Sequence, residues 1–257
     1  MEAGREPLPT RVQDVPALPE AFAVTLERGL ADLRLQPDAT ARAAIDGHVR
    51  LLLAWTRAIN LTAIREPAAV ATGHVLDSLS AVPWLRDRAA ERILDLGAGG
   101  GFPGLPIAAM LPGATVTLLE PIGKKAAFLR AAVDATGLAG RVTVIADRAE
   151  TLAADPAGRG WWSVVTARAV ATTADLVELA FPLLEAGGAL VAWKRGDLDA
   201  ELARAQRALD ALGGGSLETL DVPVAGLSGH RLVIVTRTGD VPAAYPRDPA
   251  ARRRRPW

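Results

Sequence analysis

The stretch Asp95-Leu96-Gly97-Ala98-Gly99-Gly100-Gly101-Phe102-Pro103-Gly104 follows the apolar run Ile93-Leu94. A glycine-rich turn between a strand and a helix lets the backbone approach a ligand closely and aims the helix N-terminus at it. Pro103 suits the first turn of that helix. The next apolar run ends at Glu120, about half a βαβ unit later. At the end of a strand in an open α/β sheet, this carboxylate points into the ligand crevice and can accept both hydroxyls of a ribose. Taken singly, these are a tight turn and a surface acid; at this spacing the pair describes a nucleoside site.

Two nucleosides compete for it. Gly99 to Gly104 satisfies GxGxxG, the pattern of nicotinamide and flavin enzymes. In dinucleotide folds, however, the first glycine directly follows the strand. Here that glycine is Gly97, and its frame puts Phe102 where the third glycine belongs. A dehydrogenase also needs a proton donor, and the histidines are limited to His48, His74 and His230. S-adenosylmethionine carries no phosphate, so its loop needs small residues rather than a pyrophosphate cradle, which the Asp95 start fits.

The elements around these residues follow from periodicity. Apolar residues spaced three and four apart predict helices over Ala21–Leu35 and Ala39–Ile59, the second capped by Thr40 or Asp38. A further helix over Ala68–Leu85 is interrupted near Pro83. Strands Arg92–Leu96, Thr115–Leu119, Arg141–Ile145, Ser163–Ala167 and Ala189–Trp193 then alternate with helices Leu105–Leu111, Gly123–Thr136 and Thr173–Leu184. After a helix over Asp197–Leu212, the strands Leu217–Val224 and Arg231–Thr236 form an antiparallel pair. The expected fold class is therefore α/β: a doubly wound, mostly parallel Rossmann-like sheet of the class I methyltransferase kind, closing in an antiparallel hairpin and preceded by helices. Its divisions are a flexible proline-rich N-terminus over 1–20, a helical region over 21–90 packed on the core, the core over 91–240 and a basic tail over 241–257.

Composition sets the outer limits. Of 257 residues, 50% are hydrophobic, enough for a substantial core. Neither a membrane-spanning run nor a signal peptide is evident, so the expected location is the cytoplasm, without membrane association. The net charge is zero, but Arg247 and Arg252 to Arg255 crowd the last eleven residues beside a single acid, Asp248. Such a run is either a solvated tail or a phosphate-binding arm. Only three of the 29 basic residues are lysine, Lys124, Lys125 and Lys194, which suggests positions where a compact point charge suits better than a planar fork.

The chain resembles the RsmG (GidB) family, bacterial methyltransferases that modify a guanine at N7 in small-subunit ribosomal RNA. The likeness runs from about Asn60 to the end. It is carried by Asn60-Leu61-Thr62-Ala63-Ile64, His74-Val75-Leu76-Asp77-Ser78-Leu79, Leu94 through Pro106 and Leu119 through Leu129 with its Lys124-Lys125 helix start. Arg148-Ala149-Glu150, Thr166-Ala167-Arg168-Ala169, Trp193-Lys194 and Tyr245-Pro246-Arg247 continue it. Pro121 and Arg195 depart from the family, which often has a small residue and a glycine there.

The resemblance implies S-adenosyl-L-methionine as cofactor and, as substrate, the guanine at position 527 in the 530 loop of 16S ribosomal RNA, met in the small subunit or its assembly intermediate. It implies cofactor contacts from Gly97 and Phe102, with Ala149 and Glu150 flanking the adenine. It also brings Arg168, the candidate catalytic residue, to the site from the fourth strand. Asp95, Gly99, Gly101 and Glu120 complete the cofactor set. Lys124, Lys125, Lys194, Arg247, Arg252, Arg253, Arg254 and Arg255 form the expected RNA-binding surface of a monomer.

Guanine N7 bears an in-plane lone pair and no proton, so no general base is required. Pyrimidine C5 methylation usually needs a cysteine, and the chain has none. The Asn/Asp-Pro-Pro-aromatic segment typical of exocyclic amine methylation is also absent. Arg168 has a second reading, as a strand-end partner of Asp95 or Glu120. His74 and Asp77, three apart on one helical face, either touch each other or contact RNA. Trp161 and Trp162 are either base-stacking or core-edge residues, and Trp257 has no assigned role.

Overall fold

A computed structural model describes residues 7–257. Five strands, β1 (Arg92–Leu96), β2 (Thr115–Leu119), β3 (Val142–Ile145), β4 (Trp162–Arg168) and β5 (Leu184–Arg195), pair in parallel. With β6 (Gly215–Asp221) and β7 (His230–Arg237) they form one seven-stranded sheet in the order β3-β2-β1-β4-β5-β7-β6. Strand β7 runs antiparallel to both of its neighbours. The chain winds outward from β1 in both directions, so a crevice opens beyond the C-terminal ends of β1 and β4, the usual ligand position in such sheets.

Both faces of the sheet are covered, which is why adjacent residues of β1, Ile93 and Leu94, are both apolar. Its Ile93 belongs to one core and its Leu94 to the other. The first core joins the sheet to α1 (Glu20–Asp32), α2 (Ala39–Thr56), α6 (Gly104–Met110) and α7 (Gly123–Ala135). The second lies under α8 (Ala149–Ala154), α9 (Thr173–Ala180) and α10 (Asp199–Ala211). The Asp38 carboxylate caps α2 by accepting the Ala41 N–H at 2.7 Å.

The expected Ala68–Leu85 helix is a run of short pieces: α3 (Pro67–Val70), a π-helical turn (Ala71–Leu76), α4 (Asp77–Leu79) and α5 (Val82–Asp87). The extra residue in a π turn rotates the side chains that follow it. Here the turn contains His74 and ends just before Asp77.

The N-terminal segment expected to be flexible and the basic C-terminal tail both pack against the rest of the protein among the described residues. Within the 1–20 segment, residues 1–6 lie outside the described residues, and the remainder packs along α2. The Trp55 indole donates to the Pro9 carbonyl at 2.7 Å, the Arg50 guanidinium donates to the Pro16 carbonyl at 2.9 Å, and Val15 is buried. The 241–257 segment ends in α11 (Pro249–Arg254) and folds back onto α9. There the fully buried Glu178 carboxylate accepts from the Arg247 backbone and guanidinium and, at 2.7 Å, from the Trp257 indole. Trp257 thereby acquires a role, and it also lies under the Arg247 guanidinium, 4.5 Å from ring centroid to cation.

Candidate active site

The crevice is an open cleft of about 960 Å³. One wall is the glycine loop after β1; the others come from the π turn, the end of β4 and the β5–β7 edge. Gly97 and Gly99 adopt φ +74° and +55°, the left-handed region that favours glycine. A Cβ on Gly99 would meet only the Gly97 carbonyl, at 3.7 Å, so the backbone there faces open space. Glu120, at the end of β2, holds the loop from the side. It accepts the Gly99 N–H and the Ile122 N–H, each at 2.9 Å.

Asp95 and Gly101 belong to the expected cofactor set, but they stand behind the loop. Asp95 has no exposed surface, and its oxygens accept from the Gly104 N–H at 2.8 Å and the Thr166 hydroxyl at 3.1 Å. Burial pushes this carboxyl up to about 7, against the opposing pull of those two donors. A Cβ on Gly101 would strike Leu105 at 2.6 Å and His48 at 2.8 Å, so this glycine allows close packing against α2. Ala149 and Glu150 do not line the cleft, and Glu150 is ion-paired to Arg252 of α11.

His48 is a site residue that no local pattern singles out. It lies on α2, 1% exposed, with Nε2 2.7 Å from the Gly100 carbonyl and its ring 4.5 Å from Phe102. Since a carbonyl only accepts, Nε2 carries the proton and donates it. Burial pushes His48 down to about 4. Phe102 also stacks on His74 at 4.8 Å, so the aromatic residue of the loop is clamped between two imidazoles. A lone histidine on an apolar helical face carries no sequence signal for such a role.

Arg168 pairs with neither Asp95 nor Glu120. Its Nη1 donates to Asp77 Oδ2 at 3.0 Å and to the Gly73 carbonyl at 2.9 Å, and its Nη2 lies 2.9 Å from His74 Nδ1. His74 and Asp77 thus meet through Arg168 rather than touching each other. The second Asp77 oxygen takes His230 Nδ1 at 3.0 Å. Burial, reinforced by the Arg168 charge, pushes His74 down to about 4.

The expected RNA-side cations fall into two groups. Lys125 lines the cleft, Lys124 is exposed beside it, and Arg253, Arg254 and Arg255 are exposed at the C-terminus. Lys194, Arg247 and Arg252 are little exposed and are held by Glu201, Glu178 and Glu150, so their charge is already matched. Trp162 is core. Trp161 is exposed at the start of β4, at the opposite end of the strand from Arg168.

A seven-stranded sheet with one antiparallel strand, opening at its switch point onto a glycine loop and a strand-end acid, defines a class I methyltransferase. A solved O-methyltransferase from Bacillus cereus, bound to SAH, shares this fold. Its TM-score is 0.54 at 17% identity, covering 83% of this chain and 97% of that one. Residues 42–224 match the family model GidB, rRNA small subunit methyltransferase G, and the chain belongs to that family.

Among curated relatives, the ribosomal RNA small subunit methyltransferase G of Roseiflexus sp. is 41% identical over 206 residues, spanning 80% of this chain and 87% of that one. The enzyme of the same name from Stenotrophomonas maltophilia is 43% identical over 220 residues, spanning 85% and 97%. The nicotinamide alternative is thereby set aside, and the cofactor is S-adenosyl-L-methionine. The site suits it on its own chemistry. The open backbone at Gly99 leaves space where a ligand needs it, and the Glu120 carboxylate beside it keeps lone pairs for hydroxyl donors.

Proposed function

We propose that this chain methylates N7 of a guanine in 16S ribosomal RNA, in the small subunit or its assembly intermediate, as a monomer in the cytoplasm. S-adenosylmethionine supplies an electrophilic sulfonium methyl group for in-line transfer. Gly97, Gly99, Phe102 and Glu120 hold the cofactor. Asp95 and Gly101 act through the loop they shape, and Ala149 and Glu150 border the adenine from beyond the cleft wall. Arg168 fixes the opposite wall, where the base enters.

The observation that carries this reading is the state of the cleft's acid. Asp77 is the one carboxylate among the described residues lining the cleft, and both of its oxygens are committed to Arg168 and His230. A site without a free carboxylate base suits a nucleophile that has no proton to lose. Positioning and exclusion of water then supply the rate. Lys125 and Arg195 line the cleft with no ion pair among the described residues, which suits a polyanion. Lys124, Arg253, Arg254 and Arg255 extend that surface.

The large exposed apolar residues Val24, Ile122, Trp161, Val170 and Leu220 lie on separate elements, and this scatter supports a monomer. No helix among the described residues is long and apolar enough to cross a membrane. The test is transfer of labelled methyl from S-adenosylmethionine to small-subunit RNA and particles from cells lacking the enzyme. Incorporation into these, and not into the same material from cells that have the enzyme, is the expected result.

A further inference from the structure

The hydrogen bonds leading away from Arg168 fix the direction of every proton as far as Thr62. A guanidinium is always charged and only donates. With Arg168 Nη2 at 2.9 Å, His74 Nδ1 must be the acceptor. The Gly73 carbonyl, 3.1 Å from Nδ1, is served instead by Arg168 Nη1 at 2.9 Å. His74 therefore carries its proton on Nε2 and donates it to Thr62 Oγ1 at 2.6 Å. Thr62 Oγ1 also accepts the Ile64 N–H at 3.0 Å. Both lone pairs of the hydroxyl are then filled, and its single proton has no acceptor among the described residues. Thr62 lines the cleft and is 8% exposed, so the remaining polar volume within reach of that proton is the cleft itself.

We propose that Thr62 is a specificity-determining residue whose hydroxyl donates to the 6-oxo group of the target purine, the acceptor adjacent to N7. This rests on the guanine reading above and deepens it. Guanine presents two acceptors on that edge, N7 and O6, whereas a 6-aminopurine presents a donor at the second position. A hydroxyl free to rotate could serve either base. One whose lone pairs are both occupied can only donate, so it matches the oxo group and opposes the amino group. Arg168 holds His74 in the tautomer that keeps the hydroxyl in this state, which makes Arg168 and His74 positioning residues for base choice.

The test uses small-subunit RNA, or particles reconstituted on it, carrying either guanine or 2,6-diaminopurine at the single target position. Methyl transfer is measured for the unmodified enzyme, Thr62→Val and Thr62→Ser. The unmodified enzyme should prefer guanine. Thr62→Val should lose roughly tenfold or more in kcat/KM on guanine and much less on the diaminopurine, the size expected for one hydrogen bond. Thr62→Ser should restore the preference. An equal loss on both bases, or no loss on either, overturns the proposal, since a purely structural threonine would not distinguish them. If the unmodified enzyme methylates neither RNA, it is the guanine reading that fails.

Discussion

Arg168, at the end of β4, and Asp77, just after the π turn, meet at 3.0 Å with side chains only 14% and 5% exposed. The pair pins the N-terminal helices to the end of the sheet where the cleft opens. Removing one partner of a buried pair strands the other charge, at a cost of about 3–5 kcal/mol. Asp77→Ala should therefore lower stability to urea by about 3 kcal/mol or more. Arg168→Ala combined with Asp77→Ala should cost clearly less than the sum of the single changes, because the two share one interaction.

His48 acts on the cofactor loop from behind. His48→Phe keeps a ring against Phe102 but leaves the Gly100 carbonyl without its donor. Calorimetry should show S-adenosylmethionine binding about tenfold more weakly, in line with one lost hydrogen bond. RNA affinity should be unchanged, and His48→Gln, which can still donate, should recover part of the loss. Equal weakening of both ligands would assign His48 to general packing instead.

Acid stability should be governed by three buried groups near the loop. His48 and His74 titrate near 4 when folded against 6.5 when unfolded, so each contributes stability that is present above 6.5 and lost as pH falls toward 4. Asp95 titrates near 7 against 3.8, so its contribution has the opposite sign: present at low pH and lost as pH rises through about 7. Near pH 5 to 5.5 the two histidines outweigh the one carboxyl by a little under one proton, and the excess fades as pH approaches 6.5. Unfolding free energy should then rise with pH by roughly 1 kcal/mol per unit in that interval. Asp95→Asn should steepen the slope, and His48→Phe should flatten it.

The C-terminal arginines should divide by function. Arg253, Arg254 and Arg255 are exposed, so replacing all three with alanine should weaken RNA binding and reduce its salt slope by about 2 on a single strand, with cofactor affinity unchanged. Arg247→Ala instead leaves the fully buried Glu178 unpaired. It should destabilise the protein by about 3 kcal/mol and open the chain beyond Tyr245 to protease, without moving the salt slope.

Where a segment is buried on both sides, its sequence pattern and its structure agree closely: β1 and β2 occupy Arg92–Leu96 and Thr115–Leu119, as the apolar runs predict. β5 begins at Leu184, five residues before the predicted start. Glu185-Ala186-Gly187-Gly188 breaks the apolar pattern while the strand itself continues. The glycine loop and Glu120 were legible because their spacing is set by one βα unit. Which glycines face the cleft was not, since Gly101 differs from Gly99 only in what packs behind it. The fates of Arg247 and Trp257 depend on Glu178, 69 residues upstream of Arg247, a distance no local pattern spans.

The proposed reaction modifies one atom of one base. Small-subunit RNA from cells lacking the enzyme, treated with the protein and S-adenosylmethionine, should be digested and its nucleosides mapped by mass spectrometry. A single new 7-methylguanine at one position is the predicted result. A methyl on any other atom, or on a pyrimidine or adenine, would rule out N7 transfer to guanine, because the cleft's carboxylate is committed and the chain has no cysteine to open another route.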